Sequence, residues 1–259
     1  MRQVFGLFFI AGIFLYAGCS TEFNPATRRQ ETLFYGDEKE KSIGASVALQ
    51  VEKTMHFDNE VDINERVEKI LKKIAAVCGR QDLVYTIRVI DEDEVNAFSL
   101  PGGYIYVNKG LIDRIDDDDQ LAGVIGHEVG HVTAKHALKR LQSAYGATIL
   151  EGVAIASGNG AVAAGIDLTA SSILFANSRD DEFEADRLGI KYMRAAGYDP
   201  LQMRAMLVKL LEYQSKLPPR PLNYWRTHPY IPQRMAQAQA AAKGKAEFRD
   251  YLNITGEQR

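Results

Sequence analysis

Two histidines flank a glutamate in the run His127-Glu128-Val129-Gly130-His131, which lies inside a stretch predicted to be helical. A helix turns about 100° per residue, so His127 and His131 lie only about 40° apart on one face, one turn from each other. Their imidazole rings can therefore converge on one metal ion, at the distance of about 2.0–2.1 Å that a zinc–nitrogen bond requires. Glu128 points to an adjacent part of that face, where it can reach a water molecule on the metal without binding the metal. This spacing predicts a catalytic zinc site in which Glu128 is the general base.

A catalytic zinc needs a third protein ligand and an open position for water. The acidic segment 177–186 offers that ligand, because Glu182 and Asp186 lie four residues apart and can face the first helix together. We expect Glu182 to complete a ligand set of two histidines and one glutamate. Asp186 is expected to accept the free ring N–H of a ligand histidine, namely His127. Glu184 lies about 200° around the helix from Glu182, so we expect it to point into solvent.

The other histidines have weaker patterns. His136 lies about 180° from His127 if the helix continues, so it is expected to face elsewhere and to be structural. His228 follows a proline-rich loop that also holds Trp225. It is the first candidate for stabilising the oxyanion, with Tyr224 and Tyr230 behind it. The alternative is a loop histidine that packs on Trp225.

The site segments together resemble a known family. H-E-V-G-H followed by S-R-D-D-E-F-E-A-D is similar to the HtpX and CAAX-prenyl-endopeptidase family, family forty-eight of the metallopeptidases. Within it, the chain resembles the periplasmic lipoprotein branch with LoiP and BepA, which is related to mitochondrial Oma. The likeness covers about residues 36–240 and extends to two further segments, Asn96-Ala97-Phe98-Ser99-Leu100-Pro101-Gly102-Gly103 and Arg226-Thr227-His228-Pro229 with Arg234.

The resemblance implies a zincin fold of the gluzincin type, with one zinc ion on His127, His131 and Glu182 and with Glu128 as the base. It implies that Asn96, Ala97 and Phe98 lie at the edge of the cleft and pair with the substrate backbone. Such pairing favours extended or unfolded polypeptides over one particular sequence. It also implies that His228 can occupy the fourth position on the metal, so that its loop must move before a substrate binds.

The N-terminal residues differ from the rest of the chain. Arg2 precedes an apolar run over 4–15, which is too short to span a bilayer and is typical of a signal peptide. The signal, 1–18, ends in Leu15-Tyr16-Ala17-Gly18-Cys19-Ser20, which resembles a bacterial lipobox except for Tyr16. We expect a lipid on Cys19, a tether over 19–35 and a location at the periplasmic face of the outer membrane. The alternative is an ordinary cleaved signal with an incidental cysteine.

Helices are predicted where apolar residues recur every three or four positions, over 37–53, 62–77, 118–145, 171–196, 201–211 and 232–243. The third should begin with a capping box of Asp117 and Gln120. Strands are predicted over 83–90 and 104–107. The Ala- and Gly-rich stretch 146–176 is interpreted as a buried or mobile helical hairpin, with a transmembrane span as the alternative. We therefore expect one mainly helical α+β domain over 36–259, with a small β-sheet and two active-site helices.

Composition excludes some classes of protein. A formal net charge of −3 gives no basic surface for phosphates, so no nucleic-acid partner is expected. Two cysteines make a disulfide framework improbable, and Cys78 is interpreted as a small buried apolar residue.

Three functions are compatible with these patterns. The first is a membrane-anchored zinc endopeptidase that hydrolyses misfolded or unassembled proteins of the bacterial cell envelope. The second is a chaperone or assembly factor for envelope proteins, in which zinc is mainly structural or regulatory. The third is a hydrolase of other amides, such as cell-wall crosslinks. Glu128 favours an enzyme, because a structural zinc site needs no base and usually closes its fourth position with Cys or His.

Overall fold

The computed structural model describes residues 20–33, 35–152, 177–215, 227–229 and 231–244, and this part of the chain is mainly helical with two small sheets. Its strands are β1 (Ser20–Asn24), β2 (Arg29–Leu33), β3 (Thr86–Ile90), β4 (Ala97–Ser99) and β5 (Tyr104–Asn108). Its helices are α1 (Asp37–Thr54), α2 (Val61–Ala75), α3 (Lys109–Ile112), α4 (Asp118–Thr133), α5 (His136–Gly152), α6 (Arg179–Ala195), α7 (Gln202–Gln214) and α8 (Ile231–Ala242). The predicted class, mainly helical α+β with a small sheet, is confirmed.

The central sheet has the strand order β3-β5-β4. β3 runs parallel to β5, with Val89 opposite Val107, and β4 runs antiparallel to β5, with Phe98 opposite Tyr106. Between β4 and β5 the chain turns through Gly103, whose φ of 100° lies in the left-handed region that favours glycine. This turn places the short strand β4 at one edge of the sheet, next to α4.

Helix α4 is buried over its whole length from Gln120 to Thr133. Its N-cap is Asp117, whose carboxylate accepts a hydrogen bond from the backbone N–H of Gln120 at 2.8 Å. Burial on all sides explains why the helix is apolar or small at nearly every position except those of the metal motif. Helices α2, α6 and α7 and the strand β4 all pack against it, so α4 forms the centre of the molecule.

Small residues allow α4 and α6 to come unusually close. A Cβ atom on Gly130 would lie 2.7 Å from the carbonyl oxygen of Ala185, and one on Gly189 would lie 3.0 Å from the carbonyl carbon of Gly126. Real Cβ atoms essentially never approach as closely as the first distance, and the second is tighter than most real contacts, so glycine at these two positions permits the close packing. The two helices that hold the predicted ligands are therefore in direct backbone contact.

The prediction of one continuous helix over 118–145 is wrong. Helix α4 ends at its C-cap Ala134, Lys135 takes a left-handed conformation with φ of 56°, and α5 begins at His136. A left-handed lysine costs roughly 1–2 kcal/mol. Its buried ammonium compensates by lying 2.8 Å from a carboxylate oxygen of Asp37 and 3.2 Å from one of Glu22. The chain therefore changes direction directly after the metal motif.

Residues 20–33 lie within the segment that the sequence predicts to be a tether, and here they are folded. These residues form an antiparallel hairpin, with Ser20 opposite Leu33. The hairpin is attached to the end of α4, because the side-chain amide of Asn24 donates to the carbonyl oxygen of Thr133 at 2.9 Å. Ala26 and Leu33 are each only 2% exposed. Burial of these apolar side chains explains why the segment is ordered against the helices.

Other predictions are settled only for the described residues. Cys78 is buried with a free thiol, as predicted. Cys19 and most of the stretch 146–176, from residue 153 onward, lie outside the described ranges. Among the helices that are described, none combines the length and the apolar character that a membrane crossing requires.

Candidate metal centre

Four buried side chains meet at one point between α4, α6 and the segment 227–229. One ligand atom from each of His127, His131, Glu182 and His228 lies within 4.8 Å of the others. The Nε2 atoms of His127 and His131 are 3.0 Å apart, and the carboxylate of Glu182 lies 3.5 Å from the first and 3.2 Å from the second. The structure thus brings the three predicted ligand residues together and adds His228 as a possible fourth.

The start of α6 positions Glu182. Ser178 caps the helix with its hydroxyl, which accepts from the N–H of Asp181 at 3.1 Å, and the Asp181 carboxylate accepts from the N–H of Ser178. This capping box fixes the first helical turn. Asn177 lies just before this turn, and its side-chain amide donates to a carboxylate oxygen of Glu182 at 2.6 Å. Its backbone N–H donates to the carbonyl oxygen of Thr227. Asn177 therefore ties Glu182 to the segment that holds His228, a role that its sequence pattern did not reveal.

Asp186 lies one turn after Glu182 and contacts His127. Its carboxylate is 2.8 Å from Nδ1 of His127, so this nitrogen carries the proton and donates it when Asp186 is ionised. In the neutral ring, the form that binds a metal, Nε2 of His127 is then left without a proton and faces the cluster. The contact fixes both the tautomer and the orientation of the ring.

Arg234 on α8 is a fully buried guanidinium whose role the sequence reasoning missed. It binds both oxygens of Asp186, at 2.7 and 2.8 Å, and its Nη1 lies 2.6 Å from a carboxylate oxygen of Glu182. The only sequence signal was its place in the family resemblance after Thr227-His228-Pro229. Its partner Asp186 is 48 residues away in the chain and Glu182 is farther still, beyond the reach of any local pattern.

The pKa values of the cluster residues indicate that the site favours a bound positive charge. Burial raises the pKa of a carboxyl group, but the guanidinium of Arg234 and the neighbouring histidines together outweigh burial and hold the pKa of Asp186 below its usual range and that of Glu182 well below it. Burial lowers the pKa of His131. Burial and Arg234 oppose a proton on His127, yet the carboxylates of Glu182 and Asp186 raise its pKa to about 9.

The same residues fit a divalent cation. When the imidazoles are neutral, as metal binding requires, the carboxylates of Glu182 and Asp186 outnumber the one guanidinium of Arg234. A zinc ion compensates this charge and displaces the proton of His127, as metal binding to histidine requires. The nitrogen and oxygen donors match those that zinc prefers.

Glu128 lies beside the cluster and is completely buried. Neither of its carboxylate oxygens accepts a hydrogen bond from the described part of the chain, although Nε2 of His228 is 3.5 Å from Oε1. A buried carboxylate without a donor is costly, of the order of 1–3 kcal/mol or more. Such a group is suited to bind a water molecule or a substrate proton.

His228 connects the cluster to the edge strand β4. Its Nδ1 lies 3.1 Å from a carboxylate oxygen of Glu182 and its Nε2 lies 3.2 Å from the carbonyl oxygen of Ala97. Its predicted neighbours Tyr224, Trp225 and Tyr230 are outside the described residues. Through these two contacts, His228 links the described segment 227–229 to the metal cluster and to β4.

Within the described part of the chain, the predicted substrate-binding segment reaches the cluster through the backbone carbonyl of Ala97. The ring of Phe98 stacks on Tyr106 in the core at a centroid distance of 5.0 Å. The backbone carbonyl of Asn96 accepts from the N–H of Asn108 at 2.9 Å. The Phe98 side chain therefore supports the strand.

Two predictions about polar residues near the site are wrong. His136 does not face elsewhere, because the break at Lys135 turns its ring to His131, with 2.7 Å between the two Nδ1 atoms. Glu184 does not point into solvent, because its side chain is only 10% exposed and lies 3.4 Å from Nε2 of His136. The first error follows from the assumption of a continuous helix, and the second arises because His136 and Arg29 of the N-terminal hairpin cover that face of α6.

The geometry can be compared with known proteins. Residues 62–242 match the family model described as Peptidase family M48, and this range contains the whole cluster. The chain therefore belongs to this family of zinc metallopeptidases, as its resemblance predicted.

Individual relatives agree with that assignment. The chain is 26% identical over 227 residues to the beta-barrel assembly-enhancing protease of Escherichia coli. The aligned region covers 83% of this chain and 46% of the relative. The chain is 30% identical over 163 residues to the mitochondrial metalloendopeptidase OMA1 of Schizosaccharomyces pombe, covering 63% of this chain and 48% of the relative. It is 34% identical over 170 residues to the OMA1 metalloendopeptidase of Arabidopsis thaliana, and the aligned region covers 64% of this chain and 33% of that relative. The chain thus spans less than half the length of these relatives.

Proposed function

We propose that the chain is a zinc-dependent endopeptidase of the gluzincin type, with one zinc ion on His127, His131 and Glu182. The observation that supports this proposal best is the carboxylate of Glu128, which is buried beside the ligand cluster and accepts no hydrogen bond from the described residues. A purely structural metal site has no use for such a group. This is why an enzyme is preferred over a chaperone with a structural zinc ion.

The proposed reaction is hydrolysis of a peptide bond. Zinc supplies a Lewis acid that polarises the scissile carbonyl and makes a water molecule acidic at neutral pH. Glu128 accepts the proton of the attacking water, whose oxygen bonds to the carbonyl carbon. The carbon–nitrogen bond then breaks, and Glu128 returns the proton to the leaving nitrogen. Asp186 and Arg234 hold the ring of His127 in place throughout.

We propose two roles for His228. In the state described here its ring lies 3.2 Å from Nε2 of His127 and 3.5 Å from Glu128, so it occupies the space that a water molecule and a substrate need. Movement of its loop would open the site, and the ring could afterwards donate to the oxyanion. The carbonyl of Ala97 would exchange its contact with His228 for a backbone contact with an extended substrate.

The proposed substrates are misfolded or unassembled proteins of the bacterial cell envelope, and we propose that a lipid on Cys19 anchors the enzyme to the membrane. The name of the Escherichia coli relative, a beta-barrel assembly-enhancing protease, supports substrates that have yet to be assembled. The run Leu15-Tyr16-Ala17-Gly18-Cys19 supports the lipid and the periplasmic face. Polypeptides that have not folded would meet the requirement for extended backbone at β4.

The proposal is tested with Glu128→Gln, which removes the base and keeps the shape of the side chain. We expect the variant to bind zinc and fold like the wild type but to digest unfolded casein about 10²–10⁴-fold more slowly. Zinc is measured by atomic absorption, and Glu68→Gln on the exposed face of α2 is the matched control. Casein digestion by the variant at the wild-type rate would remove Glu128 from the mechanism. A zinc-loaded wild type that suppresses aggregation but cleaves no casein would favour the chaperone.

A further inference from the structure

We infer that His136 and Glu184 are positioning residues, which form a histidine–carboxylate relay that fixes the ring of the metal ligand His131. The inference rests on the proposed function only in taking His131 as a ligand. It assigns a role to two residues whose positions in the sequence suggested none.

The first contact of the relay joins two imidazole rings. Nε2 of His131 faces the cluster, 3.0 Å from Nε2 of His127, while its Nδ1 lies 2.7 Å from Nδ1 of His136. A ligand nitrogen must be without a proton, so a neutral His131 that binds through Nε2 carries its proton on Nδ1. That proton can only be donated to Nδ1 of His136, which then acts as an acceptor. The short distance therefore defines the tautomer of both rings.

The second contact fixes the far side of His136. With Nδ1 as the acceptor, the proton of a neutral His136 resides on Nε2. Nε2 lies 3.4 Å from a carboxylate oxygen of Glu184 and 3.5 Å from one of Asp181. The exposed fraction is 1% for the His136 side chain and 10% for that of Glu184, against 26% for Asp181. Glu184 is therefore the acceptor at the end of the relay that is better shielded from solvent.

Further charges hold Glu184 in position. Its Oε1 lies 3.5 Å from the guanidinium of Arg187, one turn later on α6, and 3.6 Å from that of Arg29 on β2. Oε1 thus faces two cations without a hydrogen bond to either, and Oε2 is turned to His136. The carboxylate has a defined orientation, as a group that orients a ring must have.

The helix break makes this relay possible. On a continuous helix His136 would lie about 140° around from His131 and could not reach it. The left-handed Lys135 brings the start of α5 back over His131, so that the two ring centroids are 4.9 Å apart. The two histidine ligands are consequently oriented by different groups. Asp186 holds His127 directly, whereas a carboxylate holds His131 through a second histidine.

The experiment measures metal binding without any substrate, so its result does not depend on proteolysis. His136→Leu removes both contacts, His136→Asn keeps an acceptor where Nδ1 lies, and Glu184→Gln weakens the far end. We expect His136→Leu to weaken zinc binding about 10–100-fold, measured by competition with a chelator. His136→Asn should recover most of that loss, and Glu184→Gln should fall between the wild type and His136→Leu. The exposed His56→Asn is the matched control.

A spectroscopic measurement separates positioning from mere packing. The absorption bands of bound Co²⁺ report ligand geometry, and we expect His136→Leu to shift them while His136→Asn restores them. Wild-type zinc affinity and an unshifted cobalt spectrum in His136→Leu would overturn the inference. So would His136→Asn binding zinc as poorly as His136→Leu. If His136→Leu does not fold, as seen by circular dichroism of the metal-free protein, the comparison of His136→Asn and Glu184→Gln with the wild type decides.

Discussion

Arg234 shows how a single buried charge organises several active-site residues. Its guanidinium binds Asp186 with two nitrogens and lies beside Glu182, so it contacts both acidic residues that the sequence placed on α6. Bidentate pairing of this kind is specific to arginine, because lysine cannot match the two carboxylate oxygens. The arginine contributes to the lowered pKa of both carboxyl groups, and an ionised Asp186 is what orients His127.

Replacement of this charge should affect the metal-free protein most. We expect Arg234→Met to destabilise it by about 3–5 kcal/mol, because two buried carboxylates lose their cation. The zinc-loaded protein should lose less, since the divalent ion compensates part of the charge. Urea unfolding with and without zinc measures both values. Equal losses in the two forms would show that Arg234 contributes packing rather than charge.

At the level of single residues, the sequence predicted those contacts that depend on helical spacing. His127 with His131, and Glu182 with Asp186, are four residues apart, and a helix brings such pairs to one face whatever surrounds it. Arg234 could not be predicted in this way, because it reaches Asp186 from another helix. His136 was misplaced because its position depends on a left-handed residue that is stabilised by Asp37, 98 residues earlier.

At the level of elements, the site depends on how closely α4 and α6 approach. The helices touch through Gly126 and Gly130 on one side and Ala185 and Gly189 on the other. Small residues at this contact let the ligand side chains of the two helices meet at one point, because the helices are not held apart. The glycine between Glu128 and His131 is therefore part of the site, although it has no side chain.

A methyl group at this contact should loosen the metal centre. We expect Gly130→Ala to destabilise the protein by about 1–3 kcal/mol, because its Cβ would meet the backbone of Ala185 and force the helices apart. Zinc affinity should fall with it, since Glu182 moves with α6. Urea unfolding and chelator competition measure the two effects. Gly36→Ala is the control, because a Cβ there meets nothing within 4 Å. Wild-type zinc affinity in Gly130→Ala would contradict the expectation.

At the level of the whole molecule, the N-terminal hairpin is attached to the catalytic helices. Asn24 binds the end of α4, Lys139 on α5 pairs with Glu31 at 2.8 Å, and Arg29 reaches Glu184 on α6. The sequence did not reveal this because residues 20–33 are mostly polar, and their partners lie more than 100 residues away for Asn24 and Glu31. The hairpin begins at the residue that follows the proposed lipid site.

The lipid itself is tested by Cys19→Ala. We expect this variant to leave the membrane fraction and to lose labelling by a fatty acid, while the purified domain digests casein as before. Each buried CH₂ of an acyl chain contributes about 0.8 kcal/mol, so loss of the chains should release the protein. Cys78→Ala should stay in the membrane fraction. If Cys19→Ala remains there after a high-salt wash, the stretch 146–176 becomes the suspected anchor.

The hairpin has a consequence for how such an enzyme would find its substrates. A flexible linker of fifteen residues could extend to roughly 50 Å, whereas the single step from Cys19 to the first strand spans about 3.8 Å. With a lipid on Cys19, the catalytic domain would rest against the bilayer and keep one orientation towards it. It would then encounter polypeptides by lateral diffusion over a surface rather than by exploring a volume, and chains already released into the aqueous phase would escape it.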